Sequence, residues 1–194
     1  TGTWESLVNF KDMRATHRCQ TISDNAQWFE DNSPTDLKYK KEEVKGVSAK
    51  VITAAILAGD CYPATPIGIN LPNANWIRKD YGSKSVTIDN ITHAYNEAAK
   101  GNGFNEEFMI SPEVIAMYEK AGACGDLHTD LHECVGHGSG KLMPGVTKDA
   151  LKEHASTIEE ARADLLGLYY MADPKLVELG LLEDEEAYKG FYYQ

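Results

Sequence analysis

The chain lacks several features that would assign it to a particular class of protein. It has no apolar run of the length that a membrane-spanning helix needs, and no N-terminal signal peptide. It has no excess of basic residues, because 19 lysines and arginines stand against 30 aspartates and glutamates, which gives a formal net charge of −11. This balance argues against a nucleic-acid surface. We therefore expect neither nucleic acid nor membrane among its partners, and nothing in the sequence indicates an obligate protein partner.

Cysteine is also scarce. The four cysteines form no C-x-x-C pair and no dense pattern. Free thiols in a reducing compartment are therefore the simpler interpretation, and two disulfide bridges are the alternative. This predicts a cytoplasmic location, with the periplasm as the alternative if an upstream signal has been removed. Cys124 and Cys134 lie near two histidines, but a structural zinc site normally uses close C-x-x-C spacing. We expect Cys134 to face the core instead.

The remaining patterns are typical of a mostly helical α+β protein. A buried strand is predicted at Val47 to Ala58, because Val51, Ile52 and Thr53 have high β-propensity. Periodicity and capping residues predict helical stretches over residues 4–29, 36–45, 89–99, 111–121 and about 148–172.

The stretch that carries chemistry is residues 127–142, which reads L-H-T-D-L-H-E-C-V-G-H-G-S-G-K-L. It contains His132, Glu133 and His137 in six residues. Histidine is a common zinc ligand, and a carboxylate beside it can act as general base on a metal-bound water. The helical metalloprotease motif H-E-x-x-H is one residue shorter. The motif here is H-E-x-x-G-H.

The extra residue has a geometric consequence. Helical positions four apart differ by roughly 40° around the axis, whereas positions five apart differ by roughly 140°. His132 and His137 would therefore diverge on a regular helix. A single π-type turn absorbs one residue, and such turns are frequent at functional sites. Gly136 lies where the backbone would have to adapt, and we predict a π-type turn there.

A catalytic zinc site needs a third protein ligand. The candidates lie in I-E-E-A-R-A-D, residues 158–164, on a second helix packed against the first. Either Glu159 or Glu160 could reach the metal, and spacing alone prefers neither. Asp164 is placed to accept the second N–H of a ligating histidine. His128 and His132, which are four apart, form a rival pair that lacks a glutamate directly after the first histidine.

The pair of motifs, H-E-C-V-G-H-G-S-G-K-L followed by E-E-A-R-A-D, closely resembles the signature of the zinc-dependent dipeptidyl peptidase III family, in its shorter, bacterial form. The resemblance implies that one zinc ion per chain is bound by His132, His137 and Glu160. It makes Glu133 the general base. It makes Glu159 and Asp164 the groups that orient the histidines.

A second stretch has a different character. Residues 61–76 contain three prolines and three asparagines, which disfavour a helix and favour an extended segment. It could be a connection, or an exposed strand edge that pairs with a peptide backbone. A similar G-I-N-(L/I)-P-N stretch lies in the substrate cleft of the resembled family. The resemblance implies that Gly68 and Ile69 offer backbone pairing, and that Asn70 and Asn73 contact the substrate.

The resemblance implies a metallo-exopeptidase that releases dipeptides from the N-terminus of short peptides. The alternative is a non-catalytic, zinc-stabilised module that binds peptides. We divide the chain into a helical segment of the catalytic lobe (residues 1–53), an extended segment and helix of the substrate cleft (54–100), and a helical zinc-binding region (101–194). We expect the zinc site between two packed helices. The first residue is not methionine, so we expect a fragment, which by itself would hydrolyse little.

Overall fold

The chain forms two compact units. The structure is a computed structural model that describes residues 4–44, 48–61, 68–71, 77, 81, 84–109, 111–120, 124–183 and 185–192. The first unit consists of Thr1–Gln20 and Val47–Phe104. The second consists of Thr21–Gly46 and Asn105–Gln194. Each unit is described separately below.

The described residues of the first unit form four strands, β1 (Glu5–Lys11), β2 (Ser48–Gly59), β3 (Gly68–Leu71) and β4 (Lys84–Ile88). They form one sheet with the strand order β1-β2-β4-β3. The middle of the sheet is parallel, between β2 and β4, and both outer pairs are antiparallel. Strand β2 confirms the strand predicted at Val47 to Ala58, but of its residues only Val51 and Ile52 are buried.

Helix α3 (Asp89–Ala99) follows β4 directly and packs on β2. The Asn90 side chain joins the two elements, because its amide donates to the Ala54 carbonyl and its oxygen accepts from the Ala54 N–H, both at 2.9 Å. Val51 and Ile52 of β2 and Ile88 of β4 are buried. The helix predicted from Asp89 is therefore confirmed.

The helix predicted over residues 4–29 is wrong in its first part. Glu5–Lys11 forms strand β1, and helix α1 begins only at Met13 and ends at Asp24. The Asp12 carboxylate accepts from the Ala15 N–H at 2.9 Å, which fixes the start of the helix. Strand β1 exists because β2, more than 35 residues later in the chain, supplies the backbone partners along its length. Local periodicity contains no information about such a partner.

The second unit is helical. Its core contains Phe29, Leu127, Leu131, Tyr170 and Met171, each exposed by no more than 1%. The helices are α2 (Ala26–Asn32), α4 (Phe104–Phe108), α5 (Pro112–Lys120), α6 (Cys124–Leu131), α7 (Ala155–Met171), α8 (Lys175–Glu178) and α9 (Tyr188–Tyr192). Together with the sheet, they confirm the prediction of a mostly helical α+β fold.

Local capping decides where several of these helices begin. The Ser111 hydroxyl accepts from the Val114 N–H at 3.4 Å, so the predicted start of α5 is confirmed. The long helix predicted from about residue 148 begins later, at Ala155. A 3-10 segment, Lys148–His154, precedes it and is interrupted at Lys152, whose φ is +49°. The helix predicted over residues 36–45 is also wrong, because within the described residues 36–44 only Leu37–Tyr39 is helical, as a 3-10 turn.

The structure also bears on the expectations about the cysteines and about membrane-spanning helices. None of the four cysteines, all of which lie in the described part of the chain, forms a disulfide; all four are buried, and Cys134 is 2% exposed, as expected for a core residue. Among the described residues, no helix is both long enough and apolar enough to cross a membrane.

Candidate metal centre

The motif contains a π-helical turn, His132–Gly136, which continues directly from α6; His132 begins this turn and His137 directly follows it. The His137 N–H donates to the His132 carbonyl at 3.0 Å, so this hydrogen bond spans five residues instead of four. The surplus residue is thus absorbed as the spacing predicts. As a result, the two imidazole rings lie near each other, with their centroids 4.8 Å apart.

Gly136 is required in this turn for packing. It has no positive φ. A Cβ at this position would lie 2.6 Å from the Ala163 carbonyl oxygen and 2.7 Å from its Cα, both backbone atoms of α7. The glycine therefore allows the π-helical turn to approach α7 closely, a packing role that the sequence analysis did not predict.

Replacing Gly136 by alanine is expected to destabilise the zinc-free chain by about 1–3 kcal/mol, because the new methyl group must push two elements apart. Urea unfolding would measure the loss. Gly125→Ala in α6 is the matched control, since a Cβ there meets nothing within 4 Å. It should be neutral or stabilise by up to about 1 kcal/mol. Equal stability of the two variants would contradict the packing argument.

Helix α7 brings a carboxylate to the two histidines. Glu160 Oε2 lies 3.2 Å from His132 Nε2 and 3.6 Å from His137 Nε2. The three donor atoms lie within 4.8 Å of one another, and no other group of this kind occurs in the part of the chain that the structure describes. Two imidazole nitrogens and one carboxylate oxygen are a usual donor set for a catalytic zinc.

The other nitrogen of each histidine contacts a different carboxylate of the same helix. His132 Nδ1 lies 3.0 Å from Asp164 Oδ1, and His137 Nδ1 lies 3.1 Å from Glu159 Oε1. Such contacts hold the proton on Nδ1 and leave Nε2 as the electron-pair donor. The geometry thus separates the two adjacent glutamates, because Glu160 faces both Nε2 atoms while Glu159 faces one Nδ1.

Arg162 is a residue that the sequence analysis did not single out. Its guanidinium donates to both oxygens of Glu159, at 3.0 Å from Nε and 2.7 Å from Nη2. A further nitrogen, Nη1, donates to Ser139 Oγ at 3.2 Å. The spacing of three residues between Glu159 and Arg162 is the sequence signal that could have revealed this pair.

These contacts set the protonation of the pair formed by His137 and Glu159. Burial by itself raises the pKa of Glu159, but the hydrogen bonds from His137 and Arg162 and their positive charges outweigh it and lower that pKa to about 2. The hydrogen bond to Glu159 raises the pKa of His137 above 6.5, against the effect of burial, and the charges of Glu160 and Glu133 act in the same direction. In the zinc-free chain, His137 is therefore protonated more readily than a free histidine.

The affinity for zinc is expected to fall as the pH decreases through the raised pKa of His137. Protonation of His137 stabilises the zinc-free fold below that pKa, and a bound metal must displace this proton. The apparent dissociation constant should rise more steeply as the pH falls and approach about tenfold per pH unit below that pKa, the limit for one displaced proton. Titration with a metallochromic indicator between pH 8 and 5.5 would measure it. In Glu159→Gln the pH at which the affinity begins to fall should move down, because the hydrogen bond that raises the pKa of His137 is weakened. A zinc affinity that stays constant between pH 8 and 5.5 would contradict the expectation.

His128 and Glu133 are the remaining candidates near this group. His128 Nε2 lies 3.3 Å from the Asp164 carbonyl oxygen, and its ring stacks on Phe191 at 4.8 Å between centroids. It is not part of the group of three donors. Glu133 lies in the π-helical turn, directly after His132, and its side chain is partly exposed.

Known proteins resemble this chain along most of its length. The profile described as "Peptidase family M49" matches residues 1–152. The chain belongs to peptidase family M49. Dipeptidyl peptidase 3 of Dictyostelium discoideum is 26% identical over 99% of the chain and 31% of the relative. Nudix hydrolase 3 of Arabidopsis thaliana is 30% identical over 93% of the chain and 23% of that protein.

A solved structure has the same fold. DPP III from Caldithrix abyssi aligns with a TM-score of 0.79 and 26% sequence identity, over 97% of this chain and 37% of that one. The chain therefore spans about a quarter to a third of the length of these curated relatives. The dipeptidyl peptidase III family is metal-dependent, and this member has a His/His/Glu group that could hold a metal.

The predicted peptide-binding segment lies in the first unit. Gly68, Ile69 and Asn70 belong to β3, one of the two edge strands of the described sheet, which pairs with β4. Asn73 lies outside the described residues.

Proposed function

We propose that this chain is the zinc-binding part of a metallo-exopeptidase that releases dipeptides from the N-terminus of short peptides. One observation carries the proposal: Glu160 Oε2 lies within 3.6 Å of the Nε2 atoms of both His132 and His137. Membership of family M49 and the likeness to dipeptidyl peptidases 3 support the same reaction class. The identity of the metal and the size of the released product belong to the proposal.

The residues present fit a zinc ion. Zinc prefers nitrogen and oxygen donors in a tetrahedron, and three protein ligands leave the fourth position for water. Bound there, it would lower the pKa of that water and polarise the scissile carbonyl. The hydrogen bonds of Asp164 and Glu159 fix the imidazole rings of His132 and His137 in the orientation that such a site needs.

Glu133 is the proposed general base. It directly follows the ligand His132 and lies close enough for its charge to act on His137. A carboxylate in this position can take the proton of the attacking water and pass it to the leaving amine. Arg162 keeps Glu159 ionised, so that Glu159 orients His137 while Glu133 acts as the base.

Strand β3 is the proposed binding strand for the substrate backbone. A strand at the end of a sheet has one edge through which a peptide can add as a further strand. Gly68 and Ile69 would pair with the peptide, and Asn70 and Asn73 would contact its N-terminal part. Short peptides are the proposed substrates, and the cytoplasm is the proposed location.

Product analysis would test the proposal. The whole protein, loaded with one equivalent of zinc, would be incubated with an octapeptide and with the same peptide acetylated at its N-terminus. Mass spectrometry is expected to show dipeptides released only from the free N-terminus. Cleavage of the acetylated peptide at equal rate would rule out the exopeptidase, and binding of zinc without cleavage of either peptide would favour the non-catalytic peptide-binding module.

A further inference from the structure

Glu30 is a buried carboxylate that the proposed reaction does not use. It lies in α2 and is 1% exposed. Its oxygens accept from the Gly140 N–H at 3.0 and 3.1 Å and from the Lys41 N–H at 2.6 Å. Burying a carboxylate is costly unless donors replace the lost water. Here backbone N–H groups from two separate segments supply the replacement.

One of these segments is the loop that directly follows the ligand His137. This loop, Gly138–Lys141, is held at several points by the segment of residues 30–41. Lys41 Nζ donates to the Gly138 carbonyl at 2.5 Å, and the Lys141 N–H donates to the Tyr39 carbonyl at 2.7 Å. Gly140 has φ +73° and contributes the N–H that Glu30 binds. Glu30 and Lys41 thus fix the backbone within one to three residues of the proposed ligand.

The same short helix is also attached to α7, which carries the other proposed ligand. Phe29, the neighbour of Glu30, is fully buried and packs edge-on against Tyr170 of α7, with ring centroids 4.9 Å apart. The Tyr170 hydroxyl donates a hydrogen bond to the Phe29 carbonyl. Helix α2 therefore connects the helix of Glu160 with the loop that follows His137.

We propose that Glu30 is a positioning residue for the metal centre, which acts through the loop Gly138–Lys141 on His137. The inference rests on the proposed zinc site. Without the carboxylate, the N–H groups of Gly140 and Lys41 lose their acceptor, and the loop is free to shift together with the adjacent ligand. A residue that only supported the fold would lower the stability of the protein and leave the lifetime of bound zinc unchanged.

The test compares Glu30→Ala and Glu30→Gln with the unaltered protein. Zinc release to an excess of chelator would be followed at 20 °C, with circular dichroism to show that each variant is folded before and after release. Glu30→Ala is expected to release zinc about tenfold faster, the lower end of the effect of groups that support metal ligands. Glu30→Gln retains an acceptor oxygen for the same N–H groups, so it should remain within about threefold of the unaltered protein. Asp31→Ala, on the exposed side of α2, is the matched control and should not change the rate.

The absorption spectrum of the cobalt-substituted protein gives a second measurement, because it reports the geometry of the ligands. It should change in Glu30→Ala and remain the same in Asp31→Ala. If Glu30→Ala does not fold, the same measurements are made on Lys41→Met. This variant removes the hydrogen bond to the Gly138 carbonyl and retains the apolar part of the lysine side chain. A release rate and spectrum equal to those of the unaltered protein in the deciding variant would overturn the inference. Absence of zinc binding by the unaltered protein would instead overturn the proposed function, and this inference with it.

Discussion

Replacing Glu133 by glutamine is expected to lower peptide hydrolysis by about 10²–10⁴-fold while zinc stays bound, because the amide cannot accept the proton of the attacking water. The change is nearly isosteric and removes no proposed ligand. Initial rates on a short peptide with a free N-terminus, measured with the whole protein, would give the loss. Elemental analysis of the same sample would show about one zinc per chain.

The control for this prediction is Glu153→Gln. Glu153 is a carboxylate in the 3-10 segment before α7, and its side chain is 74% exposed. Its replacement should leave both the rate and the zinc content unchanged. Glu133→Gln with more than a tenth of the original activity would show that another group accepts the proton. Loss of zinc in this variant would show that Glu133 supports the metal and would remove the basis for its role as base.

Replacing Glu160 by alanine is expected to weaken zinc binding by at least about 100-fold, since it removes one of three ligands, whereas loss of a group that only orients a ligand costs about 10–100-fold. Glu159→Ala tests the loss of an orienting group, because Glu159 contacts His137 Nδ1 and Arg162. Competition with a chelator of known affinity would measure both variants. The expected order is that Glu160→Ala loses more affinity than Glu159→Ala.

The reverse order would assign the ligand role to Glu159, and full affinity in Glu160→Ala would exclude Glu160 from the site altogether. Glu153→Ala serves again as the control for loss of an acidic side chain, because it lies near α7 in sequence and takes no part in the cluster. Since the overall charge changes equally in all three variants, a difference between them reports position and not charge.

The sequence by itself determined the features that depend on neighbours along the chain. The π-helical turn followed from the five-residue spacing of His132 and His137, because the angular increment of a helix is fixed. The cap at Ser111 and the strand over residues 48–59 followed from local residue types. The α+β class followed from the same patterns.

The tertiary structure decided the features that depend on partners far along the chain. Strand β1 required β2, and the need for a glycine at position 136 came from the backbone of α7. Spacing alone preferred neither of the two adjacent glutamates, and the packing of α7 on the π-helical turn brings Glu160 close to both Nε2 atoms. Glu30 carries no sequence signal at all, because the N–H group of Gly140 that it binds lies 110 residues away. Spacing along a helix fixes direction within one element, whereas contacts between elements arise only when the chain has folded.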